Sequence, residues 1–315
     1  MQVLLICFAA TVIAAPLVRF TLLRAGVLDV PNRRSSHTVP IPRGGGIACV
    51  VGALVGLGVA GVLHWDVPWL AITGALLLAG VGYADDRGAL EPAPRLVAQI
   101  AVGALIGSTT GRDGAILAGA ICVPVFVNAV NFMDGINGIT SLNMAAWGTV
   151  AMVVGYVQGS GEVAVVGAIT AGSAMGFLPW NAPVPRMFLG DTGSYFFGAM
   201  VAIGVLTGAH QTSSVVILVA PLTIYLADTG ASLLRRALHG ESLMTAHRGH
   251  VYQRLVDEAH LSHVAVASAS MAISVLITAS WIPQSPVIGV ALTILLAVTY
   301  LASPAIAARF AGSRP

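Results

Sequence analysis

The chain has no lysine: all fifteen of its basic residues are arginines. Every one of these positive charges is permanent, which excludes a titrating amine base or a Schiff-base nucleophile. Charge of either sign is scarce, at 9% of 315 residues, whereas 57% are hydrophobic and the mean hydropathy is +0.87. No soluble domain of this length needs that balance; a chain solvated mostly by lipid does. The three cysteines, Cys7, Cys49 and Cys122, sit inside apolar runs without CxxC or Cys/His spacing, so packing accounts for them better than a disulfide or a metal. A positively charged leader is also missing. The chain begins MQVLLICFAA, and the first apolar run reads as a retained span rather than a cleaved signal peptide.

What is there is a series of apolar runs, at 1–23, 44–63, 67–84, 96–110, 114–133, 139–157, 163–181, 193–209, 213–233, 263–281 and 286–307. They predict an all-α, polytopic membrane protein of about eleven transmembrane helices, a single domain over 1–315 with 234–262 as a loop or interfacial helix. The connections alternate in character. Those at 64–67, 111–113, 158–162, 210–213 and 282–286 hold one arginine, Arg112, and fourteen of the fifteen fall on the other side. The positive-inside rule makes that side cytoplasmic, with the N-terminus outside and the C-terminus inside. Strings such as GALVGLGVAG, among thirty-six glycines, fit close helix packing.

The polar residues share this sidedness. Asp29, His37, Arg43, Asp85, Asp86, the stretch NAVNFMDGING at 128–138, Asp191, Asp228 and His247 to His250 all fall at the cytoplasmic ends of the runs. Asn128, Asn131, Asp134 and Asn137 recur every three residues, so where the chain is helical they share one slowly drifting face. Such groups are costly in hydrocarbon and need a ligand, an ion or water. A transporter places ionisable groups near the midplane and on both approaches. Clustering at one interface favours an enzyme that joins a water-soluble and a lipid substrate there.

Each motif also has a plain reading. Asp85-Asp86 in GYADDRG could be a solvated helix end, or could hold a divalent ion or take a proton from an anionic nucleophile. Asp191 in FLGDTGS could cap the next helix, or could hold Mg²⁺ beside a helix N-terminus that faces phosphate. HTVPIPRGGG, 37–46, lacks the lysine and spacing of a P-loop and reads as a rigid turn from which Arg43 and His37 could meet an anion. AHRGHVYQRL, 246–255, is not HExxH and could be a basic helix lying on anionic lipid. Asp228 is either near a helix end or intramembrane.

Taken together in chain order, DVPNRRSSHTVPIPRGGG, the Asp-Asp pair, NAVNFMDGING, LGDTGS and the late histidine loop resemble the polyprenyl-phosphate N-acetylhexosamine-1-phosphate transferases, glycosyltransferase family 4. That family includes the peptidoglycan phospho-MurNAc-pentapeptide translocase and the enzymes that initiate O-antigen and common-antigen synthesis. The form of PRGGG and AHRGHVYQRL is nearer the O-antigen branch. The resemblance implies transfer of an N-acetylhexosamine 1-phosphate from a UDP-sugar to undecaprenyl phosphate, with release of UMP, at the cytoplasmic face of a bacterial inner membrane. It implies Mg²⁺, with Mn²⁺ as a substitute, membrane lipid and a homodimer as partners, and no nucleic acid.

By position, the resemblance gives Asp85 the role of the aspartate that deprotonates the lipid phosphate or attacks the pyrophosphate, with Asp86 as its partner. Asn131 and Asp191 match metal positions. Asn128, Asp134 and Asn137 match the nucleotide-side wall, and His247, Arg248 and His250 the loop over the diphosphate and sugar. Asn137 stands where many bacterial relatives carry Asp. With every lysine absent, Arg43, Arg87 or Arg95 is left to substitute near the diphosphate. An ion-coupled transporter using Asp228 and Asp134, a peptidoglycan-branch transferase and a non-catalytic scaffold are the alternatives.

Overall fold

The structure, a computed structural model, describes residues 1–31, 39–88, 90–212, 214–241, 249–283 and 285–311, with only the backbone of 310 and 311. His37, His247 and Arg248 lie outside the described residues. Every apolar run of the sequence is helical. The helices α1 (Gln2–Arg24), α2 (Gly46–Val62), α3 (Trp69–Gly88), α4 (Pro92–Ser108), α5 (Ala115–Met133), α6 (Ile139–Gln158), α7 (Gly161–Asn181) and α8 (Gly190–Gln211) follow the first eight runs. The ninth is broken. Pro221 starts a 3₁₀ turn, Ala220–Leu222, between a short α9 (Val215–Val219) and α10 (Thr223–Leu238), because its ring nitrogen cannot donate the helical bond. A short α11 (Val251–Asp257) precedes α12 (His263–Ser280) and α13 (Pro286–Ala311).

Among the described residues seven segments are long and apolar enough to cross a membrane: α1, α5, α7, α8, Val215–Leu238, α12 and α13. The chain is an all-α polytopic membrane protein. The remaining runs are shorter or carry polar ends, as α3 does with Asp85, Asp86 and Arg87.

Glycine sets the packing. A Cβ on Gly103 would meet the Gly119 carbonyl oxygen at 2.3 Å, and one on Gly107 the Ala115 carbonyl oxygen at 2.0 Å, so α4 and α5 touch backbone to backbone. In lipid, where apolar burial drives little association, such close contact supplies dispersion energy. α8 is the central post, buried along nearly its whole length, with α3 and α5 against it. Its far end is tied down by polar bonds: Gln211 Nε2 donates to Glu162 at 2.6 Å, and Ser160 Oγ donates to Gln211 Oε1 at 2.5 Å.

The only strands among the described residues are β1 (Leu28–Asp29) and β2 (Ile41–Pro42), an antiparallel pair with Leu28 opposite Pro42. β2 continues the ladder toward α8. Phe188 N donates to Pro42 O at 2.9 Å, and Gly45 N and Gly46 N donate to Phe188 O and Leu189 O at 2.8 Å each. This ribbon carries Arg43 to the start of α8.

Candidate active site

Four elements meet at one end of the bundle: the end of α3, the end of α5, the RGGG turn and the start of α8. Their approach is set by missing side chains. A Cβ on Gly46 would lie 2.2 Å from Gly193 N, and one on Gly82 would lie 2.2 Å from Asp191 O. The turn at Gly190 has φ +74°, a left-handed conformation that glycine adopts without strain.

Asp86 does not point into open space. Its side chain is fully buried, and it accepts Asp191 N (2.9 Å), Thr192 N (2.9 Å) and Thr192 Oγ1 (2.7 Å). A carboxylate from α3 thus satisfies the orphan N–H groups that begin α8, where the helix dipole favours a negative charge. Asp191 is still at the helix start, as the plain reading had it, but Asp86 is the group that binds the end.

Arg43 bridges the two acids with a fork, Nε to Asp86 Oδ1 at 2.8 Å and Nη2 to Asp191 Oδ2 at 2.7 Å. Asn131, at the end of α5, donates through Nδ2 to Asp191 Oδ1 (2.7 Å) and Ser194 Oγ (2.9 Å). Asp85 is held separately: Arg95 Nη1 lies 2.6 Å from Oδ2, and Leu90 N donates to Oδ1 at 2.7 Å. Of the three arginines open to substitute for a lysine, Arg43 and Arg95 are therefore in the site. Arg87 is exposed and bonds the Tyr83 hydroxyl instead.

The threefold spacing of NAVNFMDGING holds only in part, because α5 ends at Met133. Asn128 turns its amide to Gln99 Oε1 (2.7 Å) and to Pro124 O (2.8 Å), toward α4 rather than toward Asp191. Asp134 is the C-cap of α5. Burial pushes its carboxyl up from 3.8 to about 7, and the negative charges of Asp191 and Asp86 push the same way. Asn137 lies in the following loop, donating through Nδ2 to Pro183 O (3.4 Å) and through its N–H to His263 Nδ1 (3.3 Å).

His250 and the start of α11 are held to this end through a buried carboxylate. Asp228 accepts Val251 N (3.0 Å) and Tyr300 OH (2.8 Å), and His250 Nδ1 lies 3.1 Å from Oδ1. Tyr252 OH donates to Phe132 O at 2.9 Å, next to Asn131. Asp228, undecided between two sites in the sequence, holds His250 and the start of α11. The sequence pointed to none of Gln99, Tyr252 or Tyr300, since each gains its meaning from a partner on another helix. A polar residue inside an apolar run was the one signal that could have marked Gln99.

Comparison with known proteins agrees with this geometry. The family model described as "Glycosyl transferase family 4" matches residues 68–209, the stretch from α3 to α8 that carries Asp85, Asp86, Asn131 and Asp191. Over that stretch the chain is similar to glycosyl transferase family 4. It is an enzyme, a transferase. The chain is 26% identical, over 80% of its length and 76% of the relative's, to a probable undecaprenyl-phosphate N-acetylglucosaminyl 1-phosphate transferase of Bacillus subtilis. It is 26% identical, over 92% of itself and 85% of the relative, to a decaprenyl-phosphate N-acetylglucosaminephosphotransferase of Mycolicibacterium smegmatis. A phospho-N-acetylmuramoyl-pentapeptide-transferase of Phenylobacterium zucineum is 36% identical but over 31% of each chain.

Proposed function

We propose that this transferase moves an N-acetylhexosamine 1-phosphate from a UDP-sugar to a polyprenyl phosphate, at the cytoplasmic face of the membrane, and releases UMP. The observation that carries the reading is the paired arrangement of Arg43, Asp86 and Asp191 at the start of α8, beside Asp85 and Arg95. Two anionic substrates have to meet, and two guanidinium groups, Arg43 and Arg95, stand among these acids at the mouth of a membrane bundle. The relatives named for N-acetylglucosamine transfer to undecaprenyl or decaprenyl phosphate, matched along most of the chain, support the same substrates. The arginine distribution supports the cytoplasmic face. The product, a lipid-diphosphate-linked sugar, would start a cell-envelope glycan such as O-antigen or a cell-wall polysaccharide.

A Mg²⁺ ion fits the residues present. Asp85, Asp86, Asp134 and Asp191 supply four carboxyl groups against the two guanidinium groups of Arg43 and Arg95, and burial first, then the charges of Asp191 and Asp86, raises the Asp134 carboxyl. Asp191, with the Asn131 side chain, would hold the ion through hard oxygen donors, and substrate phosphates complete such sites. When bound, the ion would neutralise charge on the diphosphate and on the leaving UMP.

In the reaction an oxygen of the lipid phosphate forms a bond to the sugar-bearing phosphorus, and the bond from that phosphorus to the UMP oxygen breaks. Arg43 and Arg95 screen the two anions as they approach. Asp86 sets the position of Asp191 through the backbone of α8. Asp85 has both oxygens engaged, one by Arg95 and one by Leu90 N, so it would have to break a bond to take a proton or to attack phosphorus. A phosphate monoester is already largely ionised at pH 7, its second pKa being about 6 by analogy with phosphoproteins. A single in-line displacement by the lipid phosphate, with Asp85 orienting, therefore suits the site better than a covalent enzyme intermediate.

The test is UMP release from purified protein given undecaprenyl phosphate and a panel of UDP-sugars, including a UDP-muramoyl pentapeptide. Release with a UDP-N-acetylhexosamine, abolished by Asp191→Asn, supports the proposal. Absence of release with every donor sinks it, and release with the pentapeptide donor alone moves the chain to the peptidoglycan branch.

A further inference from the structure

We propose that Tyr300, on the last helix, is a positioning residue of the active site, acting through the Asp228 carboxylate on the His250 imidazole. The proposal rests on the transferase reading above, and it concerns a residue far outside the matched stretch 68–209.

α13 is the most exposed of the candidate spans, with 11% of its apolar window buried. Among its described residues Tyr300 is the one large side chain fully withdrawn from the surface, at 3% exposure. A helix that faces lipid gains little by burying a phenol, and packing alone would be served by phenylalanine. The hydroxyl is what the position uses. Tyr300 OH donates to Asp228 Oδ2 at 2.8 Å.

Asp228 is 1% exposed and belongs to α10, so its charge has to be satisfied by donors inside the protein. Val251 N and Tyr252 N donate to it at 3.0 and 3.4 Å, and His250 Nδ1 lies 3.1 Å away. These are the first residues of α11 and its N-cap, so the carboxylate fixes both the loop backbone and the ring. With Nδ1 3.1 Å from Asp228 Oδ1 and the residue capping α11, the orientation of the imidazole is set. The His250 ring stands beside Phe132, with centroids 6.3 Å apart, and Tyr252 ties the same turn to Phe132 O. His250 is in this way held against the end of α5, next to Asn131.

Removing the phenol O–H leaves one carboxylate lone pair unsatisfied in a buried place, and the network relaxes by turning Asp228 or loosening the loop. His250, proposed to cover the donor diphosphate, then spends more time out of position. The cost falls on donor binding, while the acids at the start of α8 keep their own partners.

The experiment is a double-mutant cycle in the full-length enzyme, with UMP release as the assay and donor concentration varied. Acting through His250, Tyr300→Phe lowers kcat/KM for the UDP-sugar about tenfold, mainly through KM, but changes it less than about twofold in a His250→Ala background. Asp228→Asn, which keeps shape and removes charge, shows the same pattern and serves as the second probe should Tyr300→Phe fold poorly. Equal losses in both backgrounds would show that Tyr300 merely holds the helix in place and would overturn the proposal. So would unchanged kinetics for a folded Tyr300→Phe in the wild-type background. Wild-type protein inactive with every donor refutes the transferase reading itself and takes this inference with it, a result separable from wild-type turnover that Tyr300→Phe leaves untouched.

Discussion

The Asp86 carboxylate accepts the backbone N–H of Asp191 at 2.9 Å, so the second acid of one motif begins the helix that presents the acid of another. The adjacent acids Asp85 and Asp86 consequently have different work. One is paired with Arg95 at the edge of the site, and the other is an internal N-cap contributed by a neighbouring helix.

Asp86→Asn keeps the shape but exchanges a charged acceptor for an amide facing Arg43 and three donors. Breaking a buried charged network of this kind costs about 3–5 kcal/mol. We expect a lowered thermal midpoint together with loss of turnover. Thr192→Val removes a single hydroxyl bond to Asp86, a change of about 1 kcal/mol, and should leave activity readily measurable. Differential scanning fluorimetry in detergent with the UMP assay checks both. Asp86→Asn as stable as wild type would overturn the capping role.

Arg43→Lys tests the fork. A lysine ammonium is a compact point charge and cannot reproduce the Nε and Nη2 geometry that joins Asp86 to Asp191. We expect turnover to fall by about 10- to 100-fold, the range of one or two lost charge-assisted contacts. Near-wild-type kinetics would show that only the charge matters at this position.

Gly46→Ala tests the close approach. A methyl group 2.2 Å from Gly193 N has backbone on its far side and cannot be accommodated by a rotamer change, so α2 and the start of α8 must separate. Overpacking costs about 1–3 kcal/mol, and turnover should be lost while the helical content seen by circular dichroism remains. Gly58→Ala, where nothing lies within 4 Å, is the matched control and should behave as wild type.

Much of this was legible in the chain, because every acid and arginine of the site sits where an apolar run ends and the runs alternate direction. Helical segments and the joint presence of Asp85, Asp86, Asp191, Asn131 and Arg43 at one end follow from that alternation. What could not be read is the pairing. Asp86 and Asp191 stand 105 positions apart with no sign that one caps the other, and nothing local separates Arg95, which reaches Asp85, from Arg87, which does not. The threefold spacing after Asn128 misled at its end, since it assumes a helix beyond Met133 and the backbone turns there to place Asp134 and Asn137 in a loop.

Stability should depend on pH through Asp134. Its folded-state pKa, about 7 against 3.8 ordinarily, means that the folded protein binds the extra proton between these values. Stability is therefore highest at the acid side of this window and falls as pH rises from about 4 to about 7. In EDTA, Asp134→Asn should melt above wild type at pH 8, and the gap should close toward pH 5. A constant gap across that range would count against a buried, proton-binding Asp134.

Mg²⁺ gives a readout that does not need turnover. An ion that binds only the folded state raises stability by about 2.7 kcal/mol at 100 times its dissociation constant. At pH 8 added Mg²⁺ should raise the melting temperature of wild type and leave that of Asp191→Asn unchanged. Equal stabilisation of the two proteins would place the ion elsewhere.

α8 is pinned at its start by Asp86 and Arg43 and at its far end by the bonds of Gln211 to Glu162 and Ser160. An alternating carrier works by tilting its central elements so that a gate opens first on one side and then on the other. Here such a tilt would tear charged hydrogen bonds at one mouth or the other on every cycle. The molecule is built as an anvil rather than a rocker: the post stands fixed between its two pinned ends, and the acids are held still at one of them.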